Sequence, residues 1–170
     1  LVFTTGMCGY IETLTDPSYC GQIVMQTFPA IGNYGIIEDD FEGECAVKGY
    51  VVREWCEHPS NFRSQYDVDK FLKDRGICGI CGVPTREITR IIREEGVMNA
   101  AICSEVPESL EEIFGYSVKG TVEEVSREKE VFPAIGKELH KVTLIDYGAK
   151  QNIVRELQKR GCTVTKVPYD

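Results

Sequence analysis

Histidine is close to absent from this 170-residue chain: only His58 and His140 occur, far apart and each alone. A catalytic imidazole beside its nucleophile, or a metal site built on paired histidines, therefore has little to stand on. No apolar run approaches the ~18 residues needed to cross a bilayer, and no basic segment with a cleavable apolar stretch opens the sequence. Lysine and arginine never cluster into the footprint a nucleic acid requires. Acidic residues outnumber basic ones 27 to 19, a formal charge of −8. Residues 142–170 hold three acidic and five basic side chains, so residues 1–141 carry 24 and 14. An acidic body with no basic patch excludes nucleic acid as a partner, and the missing apolar run excludes a helical membrane anchor. Neither G-x-G-x-x-G nor G-x-x-x-x-G-K-[ST] is present to cradle phosphates.

Cysteine, by contrast, is plentiful, with eight residues. Most have apolar neighbours, as in Ala101-Ile102-Cys103, and read as small buried hydrophobes. With no secretory signal and more residues than a stapled mini-domain, free thiols in a reducing cytoplasm are expected. Cys78-x-x-Cys81 has the spacing of a redox or zinc pair, yet no second pair supplies the remaining ligands and no helix starts at the motif. The same stretch approximates a nucleophile elbow, Gly-x-Cys-x-Gly. Ile80 and Val83 stand where the tight bend demands glycine, so neither frame fits. No catalytic residue and no metal ligand is assigned within these residues. The acidic stretch Glu38, Asp39, Asp40, Glu42 and Glu44 lacks the glycine-centred order of a calcium loop and reads as solvated surface.

The pattern along the chain predicts an α/β protein. Strands are expected at Leu1–Phe3, Gln22–Phe28, Ala46–Arg53 and Ala100–Cys103, with a helical turn between Met7 and Leu14. Helices are expected at Asp67–Lys73, Arg86–Glu95 and Pro107–Phe114. Thr85 stands as N-cap of the second, with Ile88, Ile91 and Ile92 inward. Arg86, Arg90 and Arg93 line another side of that helix, a solvated face or else an interface or anion site. Residues 127–138 are charged and aperiodic and read as a linker. Beyond them a β-α-β pattern begins: a strand at Lys141–Asp146, a turn at Gly148, a helix at Lys150–Arg160 with Ile153 and Leu157 inward, and a strand at Thr163–Val167. The abrupt opening on Leu-Val-Phe and closing on Val-Pro-Tyr-Asp lead to the expectation of a piece of a longer chain.

The stretch Thr15-Asp16-Pro17-Ser18-Tyr19 sits between the first two strands. Pro17 presets φ for a tight turn, Asp16 can bond back to the turn amides, and Ser18 is left on the bend with its hydroxyl free. Such a hydroxyl serves either as a ligand contact or as a plain structural cap, and the residues alone leave both open.

Several motifs, in order, resemble one family. Phe3-Thr4-Thr5-Gly6-Met7-Cys8-Gly9-Tyr10, then Leu14 to Tyr19, Gly21-Gln22-Ile23-Val24 and Pro29-Ala30-Ile31-Gly32-Asn33-Tyr34-Gly35, are similar to the N-terminal domain of the small subunit of glutamine-hydrolysing carbamoyl-phosphate synthase. The likeness continues at Gly49 to Glu54, Pro59 to Arg63, the Thr85-Arg86-Glu87-Ile88-Thr89-Arg90 helix, and Asp146-Tyr147-Gly148-Ala149-Lys150. One departure is Pro84, where the family usually carries aspartate. The Cys78/Cys81 pair is not a family feature.

The resemblance implies a swivelling β/β/α-type domain over residues 1–126, a linker over 127–140, and over 141–170 the truncated start of a flavodoxin-like class I glutaminase domain. It implies a cytoplasmic enzyme subunit, a glutamine amidotransferase within a ligase, that hydrolyses L-glutamine. The ammonia would pass to a large subunit, which makes carbamoyl phosphate from bicarbonate and ATP for pyrimidine and arginine biosynthesis. The partners implied are that large subunit, in a heterodimer, and L-glutamine. No cofactor is implied in this chain, ATP and metal ions being expected on the large subunit. The thiolate that attacks glutamine would lie past Asp170, leaving these residues inactive alone. One substrate contact carries over, Ser18, reaching toward bound glutamine. The alternative is a non-catalytic module that docks on a larger synthetase.

Overall fold

The computed structural model describes residues 1–170 and is a mixed α/β molecule with parallel sheets. In the first sheet, β1 (Val2–Thr4), β2 (Ile23–Gln26), β4 (Gly49–Val51) and β6 (Cys78–Ile80) lie side by side, every pair parallel. Two short strands, β3 (Ala30–Ile31) and β5 (Glu54–Trp55), form a parallel pair beside it. The sequence shows why the sheet is covered on both sides. Alternate residues of a strand face opposite ways. Val24 and Tyr50 accordingly enter one core, while Met25 and Val51, their chain neighbours, enter another.

The larger core lies under α1 (Tyr10–Thr15) and α2 (Val68–Asp74). It gathers Tyr10, Ile11, Leu14, Val68, Phe71 and Leu72 from the helices with Ile31 and Tyr50 from the strands and Val52 just after β4. Burying a side chain such as Phe71 contributes about 1.5–3 kcal/mol. Asp67 caps α2 by accepting from the Lys70 amide at 2.7 Å. On the opposite face α3 (Thr85–Glu95) packs through Ile92 and Ile88.

In α3 the N-cap position is taken by Pro84, and Thr85 is a buried residue of the first turn whose side chain caps nothing. Ile91 stands half exposed, because α3 packs against the sheet through Ile88 and Ile92 and leaves the third isoleucine outside that core. Ala100–Cys103 forms no strand. Ile102 rests instead on the sheet face at Gly49, whose ideal Cβ would stand 2.9 Å from Ile102 Cδ1. Helix α4 is confined to Glu111–Gly115, and α5 spans Thr121–Val125.

A second, three-stranded sheet has the order β7 (Glu130–Phe132), β9 (Cys162–Pro168), β8 (His140–Asp146). Strands β8 and β9 run parallel over seven residue pairs, from His140↔Cys162 to Asp146↔Pro168, and α6 (Gln151–Lys159) joins them. The stretch expected as a plain linker supplies β7, antiparallel to β9, so the β-α-β unit gains a third strand. Its small core holds Val154, Cys162 and Val164 with Phe132, Val142, Leu144 and Leu157 packed around them. Val154 is the buried residue of α6; Ile153, expected inward, is half exposed. No helix is long and apolar enough to cross a membrane.

Candidate functional site

Helix α1 delivers the chain to the Asp16–Tyr19 turn, and its start is fixed from a distance. Gly9 takes the left-handed conformation (φ 85°) ahead of the helix, and no side chain of its own segment caps it. The Tyr34 hydroxyl does so, accepting from the amides of Gly9 (2.8 Å) and Tyr10 (3.1 Å), while the Tyr34 and Tyr10 rings stack with centroids 4.2 Å apart. Tyr10 Oη in turn donates to the Gly35 carbonyl at 2.6 Å. At the other end, buried Thr15 donates to Ile11 O (2.8 Å) and accepts from the Glu42 amide (3.0 Å).

Pro17–Tyr19 then forms one 3₁₀ turn with Asp16 as its cap. Asp16 Oδ1 accepts from the Ser18 amide at 2.9 Å, the local bond that aspartate before proline favours. Its other oxygen, Oδ2, lies 2.7 Å from Lys150 Nζ, at the start of α6. The Asp16 side chain is only 10% exposed, so this carboxylate would be costly without both partners. The bond to Asp16 holds the Lys150 ammonium above its usual pKa of 10.5, against a smaller opposing effect of burial. Ser18 itself is exposed, and its hydroxyl makes no hydrogen bond within the chain.

The second sheet meets this turn through the β8–α6 loop. Asp146, 1% exposed, ends β8. Its Oδ1 accepts from the amides of Gly148 (3.0 Å) and Ala149 (2.8 Å), and its Oδ2 from the Arg127 amide (3.1 Å), with Lys166 Nζ at 3.5 Å. Burial alone would raise the pKa of Asp146. The three amides and the Lys166 charge outweigh it and hold the group below its ordinary value of 3.8. Gly148 has φ +91°, and a Cβ there would stand 2.8 Å from Val125 Cγ2 and 3.2 Å from Pro17 Cβ. Only glycine lets the loop come this close to the turn.

Glu42 completes the junction. Helix α6 has no side-chain cap from its own segment. The Glu42 carbonyl accepts from the Gln151 amide (2.8 Å) and its carboxylate from the Asn152 amide (2.8 Å). Two of the free donors at the helix start are thus satisfied by the first part of the chain. Arg155 adds a bond to Phe41 O at 2.9 Å, and Arg127 pairs with Glu44 at 2.6 Å. Beside these contacts opens a hollow of about 510 Å³ lined by Pro17, Glu42, Glu44, Arg127, Asp146 and Lys166 among others. Ser18 lies next to this lining but outside it.

The other sequence candidates fall elsewhere. Cys78 opens β6 and Cys81 follows it; both are free and exposed, with no third ligand gathered around them. Cys162 is buried at the start of β9. No cysteine thiol hydrogen-bonds to an imidazole, the nearest case being Cys56, whose Sγ bonds the His58 carbonyl. Arg86, Arg90 and Arg93 all stand exposed on α3 without an acidic partner in ion-pair reach. Lys150 and Glu42, which hold the junction, were not singled out from the sequence as site residues. Only tertiary structure brings them to the turn.

Residues 1–102 match the family described as carbamoyl-phosphate synthase small chain, CPSase domain. The carbamoyl phosphate synthase small chain of Listeria monocytogenes serotype 4b is 49% identical over 177 aligned positions, covering 100% of this chain and 48% of that protein. Those of Bacillus thuringiensis subsp. konkukian and Bacillus anthracis are each 48% identical over 175 positions, with 100% and 47% covered. The chain thus spans about half the length of the curated relatives it matches.

Proposed function

Since this chain belongs to the carbamoyl-phosphate synthase small-chain family, we propose that it is the front portion of a glutamine-hydrolysing subunit that feeds ammonia to a large synthetase chain. Residues 1–126 form the swivelling β/β/α domain, 127–140 the connection, and 141–170 the opening of a flavodoxin-like class I glutaminase domain. The β8-α6-β9 unit supports that last assignment, because a parallel pair joined through a helix is how such a domain begins. In this reading a cysteine thiolate attacks the side-chain amide carbon of glutamine, ammonia leaves, and water cleaves the thioester to glutamate. The thiolate and its base come from outside these 170 residues, which contain no hydrogen-bonded cysteine–imidazole pair. The subunit works in the cytoplasm, paired with the large chain, which holds the ATP and metal ions.

The observation that carries the reading is the position of the Asp16–Tyr19 turn. It presents the unpaired Ser18 hydroxyl at the surface, in a turn that touches the β8–α6 loop through Lys150 and Gly148. Ser18 there hydrogen-bonds bound glutamine. The test is reconstitution of the longer small-chain protein with its large chain. Carbamoyl phosphate should form from bicarbonate and ATP with either glutamine or ammonia as nitrogen donor. Residues 1–170 alone should release no ammonia from glutamine. A reconstituted pair that uses ammonia but never glutamine would contradict the proposal.

A further inference from the structure

We propose that Asp16 and Lys150 are positioning residues: a latch by which the loop between β8 and α6 sets the backbone that carries the Ser18 hydroxyl. The proposal rests on the reading of Ser18 as a glutamine contact. It adds that this contact is maintained by the second sheet rather than by the turn itself.

The geometry is a short chain of bonds with one carboxylate at its centre. Asp16 Oδ1 holds the Ser18 amide at 2.9 Å, and Asp16 Oδ2 holds Lys150 Nζ at 2.7 Å. Asp16 is 7% exposed, so it cannot satisfy its second oxygen with bulk water where it stands. Taking the ammonium away would leave a charged oxygen buried and unpaired, which is strongly disfavoured. The carboxylate would relieve this by turning toward solvent, and in doing so would release the Ser18 amide. Lys150 is thus coupled to Ser18 although the two side chains need not touch.

Lys150 is itself held in place. It occupies the cap position of α6 with an extended backbone, φ −63° and ψ 137°. The two amides just before it are fixed by Asp146, and the two just after it by Glu42. Glu42 also adds to the negative field around the ammonium. The close approach of Gly148 to Pro17 leaves the loop little room to shift without moving the turn. The Lys150 side chain is 48% exposed, so replacing it tests the latch without opening the core.

A double-mutant cycle on the longer small-chain protein, assembled with its large chain, decides the matter. Ser18→Ala should raise KM for glutamine about tenfold, the loss of one hydrogen bond, with kcat unchanged. Lys150→Met should raise KM about five- to tenfold, also at constant kcat, and Lys150→Arg should restore most of the loss. The double variant Ser18→Ala/Lys150→Met should be no worse than Ser18→Ala alone, since both changes remove the same contact. An unchanged KM for Ser18→Ala would overturn the serine reading and the latch with it. A raised KM for Ser18→Ala beside an unchanged KM for Lys150→Met, or single effects that multiply in the double variant, would overturn the latch and leave the serine reading standing.

Discussion

Two aspartates do similar work at the junction of the sheets. Each spends one oxygen on local amides and the other on a partner distant in sequence: Asp16 on Lys150, Asp146 on Lys166 and the Arg127 amide. For Asp146 this has a consequence for acid stability. Its carboxyl titrates below 3.8 in the folded chain. As pH falls below about 4, the unfolded form takes up the proton first. The contribution of Asp146 is therefore fully present above that pH and is lost as pH drops through the depressed folded value. Asp146→Asn keeps an oxygen for the Gly148 and Ala149 amides but removes the titration. Thermal melts between pH 6 and 2 should show a shallower acid limb for the variant than for the natural chain. Identical slopes would mean that Asp146 is not a source of the acid sensitivity.

At the scale of elements, the junction depends on a helix capped by another part of the chain. Glu42→Ala leaves the Glu42 carbonyl bond to Gln151 but removes the acceptor for the Asn152 amide. Loss of such a cap costs about 0.5–2 kcal/mol. Hydrogen exchange at Asn152 should accelerate by about tenfold with little change in β9, an amount corresponding to roughly 1.4 kcal/mol. Uniform acceleration through the whole second sheet would instead mark Glu42 as a global stabiliser. The elements also show what a single sequence can reveal. The unit β8-α6-β9 was legible because Val142, Leu144 and Ile145 make a largely apolar strand, Gly148 marks the turn after it, and the helix that follows has ordinary length. Strand β7 was not, because Glu130-Val131-Phe132 becomes a strand only by pairing with β9. Strand β6 was hidden similarly: Cys78-Gly79-Ile80 is short, exposed and split by glycine. Ala100–Cys103 misled in the other direction, Ile102 serving to cover a sheet face rather than to extend an edge. The turn at Asp16 could be read from Asp-Pro alone, whereas Lys150 carries no local signal for its partner across the molecule.

Across the whole molecule, the four-stranded and three-stranded sheets meet where α1, the acidic loop and the β8–α6 loop converge. Apart from the close approach of Gly148 to Pro17 and Val125, the contacts there are polar: Asp16 with Lys150, Glu42 with the start of α6, Arg155 with Phe41 O and Arg127 with Glu44. The four-stranded sheet has an apolar core on each face, and the three-stranded sheet has a separate one of its own. A polar seam between separate cores suits a junction that holds a hydroxyl in place while leaving a hollow beside it open. The central proposal is that Ser18, held on this seam, touches a glutamine bound by the longer protein. The most direct measurement is a crystal structure of that protein with glutamine bound. Ser18 Oγ should lie within about 3.2 Å of a polar atom of the ligand, a hydrogen-bond distance. A glutamine bound with the Ser18 hydroxyl still turned to bulk solvent would contradict the account.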